Sequence, residues 1–363
     1  MIDPASICRE VLLDQQAMGG PLGNDDFASL HSFVRHQRLD GYLREAILDG
    51  RVQTSEKQSE AVERKLVESM ERSVAIEAMV GGVCDTLAAE GVTPVALKGL
   101  AACRLDRPRP ELRSFFDADL LVRPDDLDRT YSLLTRHGFD RRFAEARPGF
   151  DATFGKGTAF VDSDGRELDL HRTLAMGSLG ISVEVEGLWE DLIPIEIAGR
   201  QIFALSPEAR LLHACVHAAA SAEPPRWHTL IDIASIDRAG FSVDRTVDLA
   251  RAWQYDAVVH CALALTRHHL GGVRTARLSE LEERTKPTRL QLLTLRAYQN
   301  AGTGYASRSL LAIPVIPTLR LRARFIRSLM APSSGYSSDR YTTRRERWLS
   351  ALRDFRSLAR APR

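Results

Sequence analysis

Lysine is scarce in this chain: five residues (Lys57, Lys65, Lys98, Lys156 and Lys286) stand against 44 arginines in 363 positions. The imbalance has the look of codon bias in a GC-rich genome, and it makes each lysine less a matter of chance. Cysteine is equally sparse. The five cysteines (Cys8, Cys84, Cys103, Cys215, Cys261) are scattered, odd in number and never spaced as C-x-x-C, so neither a disulfide framework nor a thiolate zinc site is indicated. No run of about 18 apolar residues occurs, which excludes a helical membrane span. The opening Met1-Ile2-Asp3-Pro4 lacks a basic stretch followed by an apolar one. Together these absences lead us to expect a cytoplasmic protein. With 44% hydrophobic, 27% charged and 7% aromatic residues, the composition is that of a globular chain, not a disordered or fibrous one.

The net charge of +1 gives no bulk signal for nucleic acid, but its distribution is uneven. Residues 308–363 hold 13 Arg and three acids (Asp339, Glu346, Asp354), a net of +10, which leaves −9 for the rest. No nucleic-acid module accompanies this Arg-rich tail and its aromatics are few. A solvated basic helix is the simpler reading, with nucleic acid left open.

Four regions follow from the pattern. Residues 1–90 read as helical, with segments at 5–18, 26–37 and 39–49. A long amphipathic helix then begins at Ser55, runs through Val62, Leu66, Met70 and Ile76 to Leu87, and ends at Gly91. Residues 91–205 change character: Val92–Leu97 and Phe115–Val122 read as strands, and a helix follows Pro124. Two more strands, 152–161 and 166–172, flank the turn Asp162-Ser163-Asp164-Gly165. Residues 206–300 are helical again, starting at Ser206-Pro207, with helices near 226–239, 243–255, 256–270 and 287–300. Residues 301–363 form the basic tail. The expected class is α/β (α+β), a small mixed sheet flanked by helical regions.

The densest chemistry lies in the middle region. Asp117 and Asp119, two residues apart on one strand, project from the same face. Adjacent carboxylates repel, and their arrangement calls for a cation. Asp169, in Glu167-Leu168-Asp169-Leu170-His171, supplies a third carboxylate from another strand, with His171 on the same face. Taken alone, an Asp-x-Asp is a weak signal. Three acids on neighbouring strands match what metal-assisted phosphoryl or nucleotidyl transfer needs, with Mg²⁺ as the expected ion and Mn²⁺ as its substitute. Lys98-Gly99, where a strand turns into a helix, is expected to hold a phosphate tail, and Arg113 to take a phosphate oxygen.

Other polar groups read more plainly. Lys156 in Gly155-Lys156-Gly157 lacks P-loop spacing and reads as a strand or loop lysine that at most faces the cleft. His213 and His217 are four apart with no intervening Glu, so buried histidines are expected there, not a zinc site. Asp232, among Leu230, Ile231 and Ile233, reads as a capping or pairing residue of the helical region, or as one facing the acceptor.

These pieces resemble the uncharacterised nucleotidyltransferase family within the DNA polymerase β-like nucleotidyltransferase superfamily. The resemblance rests on Leu97-Lys98-Gly99, the run Arg113-Ser114-Phe115-Phe116-Asp117-Ala118-Asp119-Leu120-Leu121-Val122, Asp169-Leu170-His171, and Ser206-Pro207-Glu208 with the helix after it. It spans about residues 75–270. It implies Asp117, Asp119 and Asp169 as metal ligands and catalytic acids, and Lys98-Gly99 as the phosphate turn. Lys98-Gly99-Leu100 replaces the Gly-Ser of the wider superfamily at that turn. The implied activity is Mg²⁺-dependent transfer of a nucleoside monophosphate from a nucleoside triphosphate, such as ATP, to an acceptor. That acceptor, a small molecule, peptide, RNA or protein, is not legible in the sequence. Two rivals use the same residues: a metal-dependent phosphotransferase or phosphohydrolase, and a non-catalytic nucleotide-binding scaffold.

Overall fold

The computed structural model describes residues 3–145, 147–221, 223–271, 275–300 and 305–330. Its centre is one seven-stranded sheet. The strands are β1 (Val95–Ala96), β2 (Ala118–Leu121), β3 (Asp140–Arg141), β4 (Gly157–Val161), β5 (Glu167–His171), β6 (Ile193–Ile197) and β7 (Arg200–Ala204), in the order β3-β4-β5-β2-β1-β7-β6. β2 pairs with β5, and β1 with β7, in parallel; the other neighbours are antiparallel. This is the mixed α/β class expected.

Side-chain alternation gives the sheet two faces. Ala118, Leu120, Leu168 and Leu170 turn toward one core, together with Ile76, Val80, Val83 and Leu87 of the long helix and Leu127, Leu133 and Leu134 of the helix Leu127–Arg136. The opposite face carries Asp119, Leu121, Asp169 and His171. A second core joins Leu30, Val34 and Leu43 from the N-terminal helices to Leu211, Leu230, Trp253 and Val259 from the helices after residue 206. The long helix Glu56–Ala89 contributes Val62 to this core and its later residues to the sheet core. Its start is fixed by a capping box. Ser55 Oγ accepts the Gln58 N–H at 3.4 Å, and Gln58 Oε1 accepts the Ser55 N–H at 2.9 Å.

Several expected boundaries shift. The helix expected over 5–18 is Pro4–Ile7 extended by a π-type turn to Leu13. The strand expected from 152 starts at Gly157, because Phe150–Thr153 forms a short helix that packs Phe150 and Phe154 against Phe325. The hairpin β6–β7 and the helix Ala276–Arg284 have no counterpart in the sequence reading. In the basic tail, Tyr305–Ala312 and Leu319–Met330 are helical; residues 331–363 lie outside the described residues.

Gly157 is where β4 is pressed against β5. It adopts φ +144°, and a Cβ there would overlap the Leu170 carbonyl oxygen and come within 2.8 Å of His171 Cα. Gly157→Ala therefore lowers stability by roughly 2–4 kcal/mol, read as a lower urea midpoint.

Candidate active site

The site begins with register. In the parallel pair β2–β5, Asp119 stands opposite Asp169 and Leu121 opposite His171. Period-2 alternation then sets Asp119, Asp169 and His171 on one face, with ligating atoms all within 4.8 Å of one another. Asp119 is 3% exposed, and His171 is 1% exposed. Asp117 precedes the first residue of β2. It is half-buried and faces the larger cavity, outside that close cluster.

Two lysines converge here. Lys98 Nζ lies 2.5 Å from Asp119 Oδ1, and Lys156 Nζ lies 3.4 Å from Asp169 Oδ2. Lys98 is the first residue of the helix Lys98–Leu105 and takes φ +45°, a left-handed conformation uncommon for lysine. That kink turns the chain out of β1, directly beside β2. Lys156 immediately precedes β4 and is anchored through its carbonyl, which accepts the N–H groups of Arg172 and Thr173. The sequence placed Lys156 at most facing the cleft; the structure puts it on a site carboxylate.

The electrostatics follow from burial and these partners. Burial alone would raise the Asp119 carboxyl, but the Lys98 ammonium and the His171 hydrogen bond outweigh it and hold the group well below the usual carboxylate range. Burial pushes the His171 imidazole down to about 4, aided by the Lys156 charge and opposed by Asp119. The ring is therefore neutral near pH 7, and its Nε2–H donates to Asp119 Oδ1 at 2.7 Å. His171 Nδ1 is buried and has no hydrogen-bond partner among the described residues. His213 is buried beside it, the two rings edge-on at 6.4 Å between centroids.

Two cavities border this cluster. The larger, about 730 Å³, is lined by Lys98, Gly99, Asp117, Asp119, His213 and Trp227, among others. The smaller, about 370 Å³, is bordered by Lys156, Asp169, His171 and the apolar walls Phe150 and Phe154. Both fall within the ~300–1,000 Å³ range of small-molecule sites.

Arg113 and Gly99 also have structural roles that the sequence did not indicate. Arg113 is buried, and its Nε and guanidinium donate to both oxygens of Asp232 at 3.1–3.3 Å. Arg107 donates to Asp232 as well, at 2.7 Å. Asp232 thus locks the segment before β2 onto the helix Trp227–Ala239. A Cβ on Gly99 would come within 2.6 Å of Phe115 Cβ, so glycine is required there by the packing of this helix on the segment before β2. The residue still lines the cavity, at a helix start with no side-chain cap.

Residues 24–271 match the family described as uncharacterised nucleotidyltransferase, and the chain belongs to that family. Among solved structures, an antigenic nucleotidyltransferase-like protein from Paracoccidioides brasiliensis aligns at 16% identity with a TM-score of 0.36, covering 59% of this chain and 94% of the other. No curated protein matches the chain. No helix among the described residues is long and apolar enough to cross a membrane.

The Arg113–Asp232 pairing has a direct test. Arg113→Leu removes one partner of a buried ion pair and is expected to cost about 3 kcal/mol without any nucleotide present, measured by urea denaturation. Unchanged stability with weakened nucleotide binding would return Arg113 to the phosphates.

Proposed function

We propose that this protein is a divalent-metal-dependent nucleotidyltransferase that moves a nucleoside monophosphate from a nucleoside triphosphate to an acceptor hydroxyl and releases pyrophosphate. The observation that carries the reading is the in-register pair Asp119 and Asp169, beside His171, with Asp119 lining one cavity and Asp169 the other. The donor set suits a hard or borderline cation. Two carboxylates fit Mg²⁺, and the imidazole nitrogen makes Mn²⁺ an equally good match. The two ammonium groups already resting on these carboxylates support a site built around positive charge.

Asp119, with Asp117 before it, would hold the ion on the donor side, and Asp169 on the acceptor side. When bound, the ion draws negative charge off the reacting phosphate. The chain's own groups do the rest. Lys98 would hold a phosphate oxygen beside the N–H groups at the helix start of the Gly99 turn. Asp169 borders the smaller cavity and would take the proton of the acceptor hydroxyl there. The donor therefore belongs in the larger cavity. The smaller one suits an acceptor, or part of one, of small-molecule size.

The test needs no known acceptor. Thermal unfolding is recorded with ATP, GTP, CTP and UTP, with and without Mg²⁺ or Mn²⁺. A ligand at about 100 times its Kd adds ~2.7 kcal/mol to the native state, so the matching nucleotide raises Tm by several degrees only with the metal. Asp119→Asn abolishes that shift. Once an acceptor is found, Asp169→Asn slows transfer at least ~100-fold. A nucleoside diphosphate product would move the reading to phosphotransfer, and binding without turnover to a scaffold.

A further inference from the structure

We propose that Arg38 and Arg226 form a polyphosphate clamp on the wall of the larger cavity, and that it holds the β- and γ-phosphates of the donor. The assignment rests on reading that cavity as the donor chamber. The two arginines come from distant parts of the chain and are brought together by a specific contact. Gln37 Oε1 accepts the Trp227 N–H at 2.8 Å, and Phe33 meets Trp227 edge-on at 5.5 Å. Arg38 follows Gln37 and Arg226 precedes Trp227, and both line the cavity.

Neither arginine sits where the fold alone would choose it. Arg38 ends the helix Asn24–Gln37 at φ +58°, a left-handed position that glycine adopts freely and arginine does not. Its guanidinium lies 4.7 Å from the Phe116 ring centroid, with Arg72 at 5.1 Å from the same ring, and its Nε is buried with no hydrogen-bond partner among the described residues. Arg226 occupies the N-cap of the helix Trp227–Ala239 and makes no side-chain cap there. An acceptor such as Ser or Asp is favoured at that position, and a cation is opposed by the helix dipole.

The local charge is unbalanced. Other arginines of this cavity are matched, Arg113 by Asp232 and Arg210 by Asp106. Among the described residues no carboxylate forms an ion pair with Arg38 or Arg226, although Glu223 and Asp117 line the same cavity. Burial pushes the Arg38 guanidinium down to about 10, the charges of Arg226, Arg113 and Arg72 add to the shift, and Asp117 opposes it. Lys98, Asp117 and Asp119 line the same cavity as Arg38 and Arg226, so one wall serves both the acid cluster and the clamp. A chain of phosphates supplies several linked negative charges along such a wall. Each guanidinium fork can take two of their oxygens.

The test is calorimetric binding of inorganic tripolyphosphate to the full chain, without divalent metal and at low ionic strength. The wild type binds it, and Arg38→Gly and Arg226→Ala each weaken it about tenfold or more, one charge-assisted contact apiece. Arg38→Gly is the decisive variant, because glycine suits the left-handed position. Tm is held or raised while binding falls, a combination that a structural role for Arg38 would not give. Arg200→Ala, which removes a cation paired with Asp85 elsewhere, leaves binding unchanged. No binding by the wild type, or unchanged affinity in both variants, overturns the clamp. If nucleotidyl transfer is found and the arginine variants leave its KM for the triphosphate unchanged, the clamp falls while the function stands. If no triphosphate reacts but tripolyphosphate binding follows the arginines, the anion site stands and the function falls.

Discussion

The site is organised around one buried carboxylate. Asp119 sits on a central strand with almost no exposure, and one oxygen accepts from both Lys98 and His171. A charge so far from water survives only if such partners are supplied by the fold. Lys98 can supply its ammonium because the chain leaves β1 through a left-handed residue, and His171 because β5 runs parallel to β2 in one register. Even the Asp119 backbone is held, its carbonyl accepting the Leu97 N–H at 2.9 Å. A one-residue slip of β5 would bring Leu168 or Leu170 to Asp169's position and send Asp169 and His171 into the apolar core.

The surrounding structure serves to hold that face open. The sheet contributes the acids, and the core shared by the N-terminal and post-206 helices supplies the far wall of the larger cavity. Asp232 joins the two by accepting from Arg113 and Arg107. This buried network fixes where β2 begins relative to the helix Trp227–Ala239. It therefore positions Asp117 and Asp119 without touching either.

Local patterns made much of this legible. The capped long helix, the alternation through Ala118–Leu121 and Glu167–His171, and the Asp162–Gly165 turn each declare themselves within a few residues. The same patterns identified Asp119, Asp169 and Lys98, which the structure brings together. What escaped is non-local. Arg113 finds Asp232 119 positions away, and no spacing rule announces that. Lys156 reaches Asp169 only because β4 folds back on β5. Gly99 reads as room for a ligand, and the structure adds that its missing Cβ makes room for Phe115. The β6–β7 hairpin was available in principle, since Ile193, Ile195 and Ile197 alternate before an Ala198-Gly199 turn. β1 and β3 are two residues each, lengths set by their neighbours and below what any pattern resolves.

The long helix Glu56–Ala89 has 34 residues, which at 1.5 Å each makes it about 51 Å from end to end. One end is rooted in the helical core and the other in the sheet core. A rigid rod embedded at both ends couples what it joins: neither half of the molecule can loosen without straining its hold on the other. Damage near Val62 would then register at the sheet beneath Leu87, and the two cores would lose order as one cooperative body.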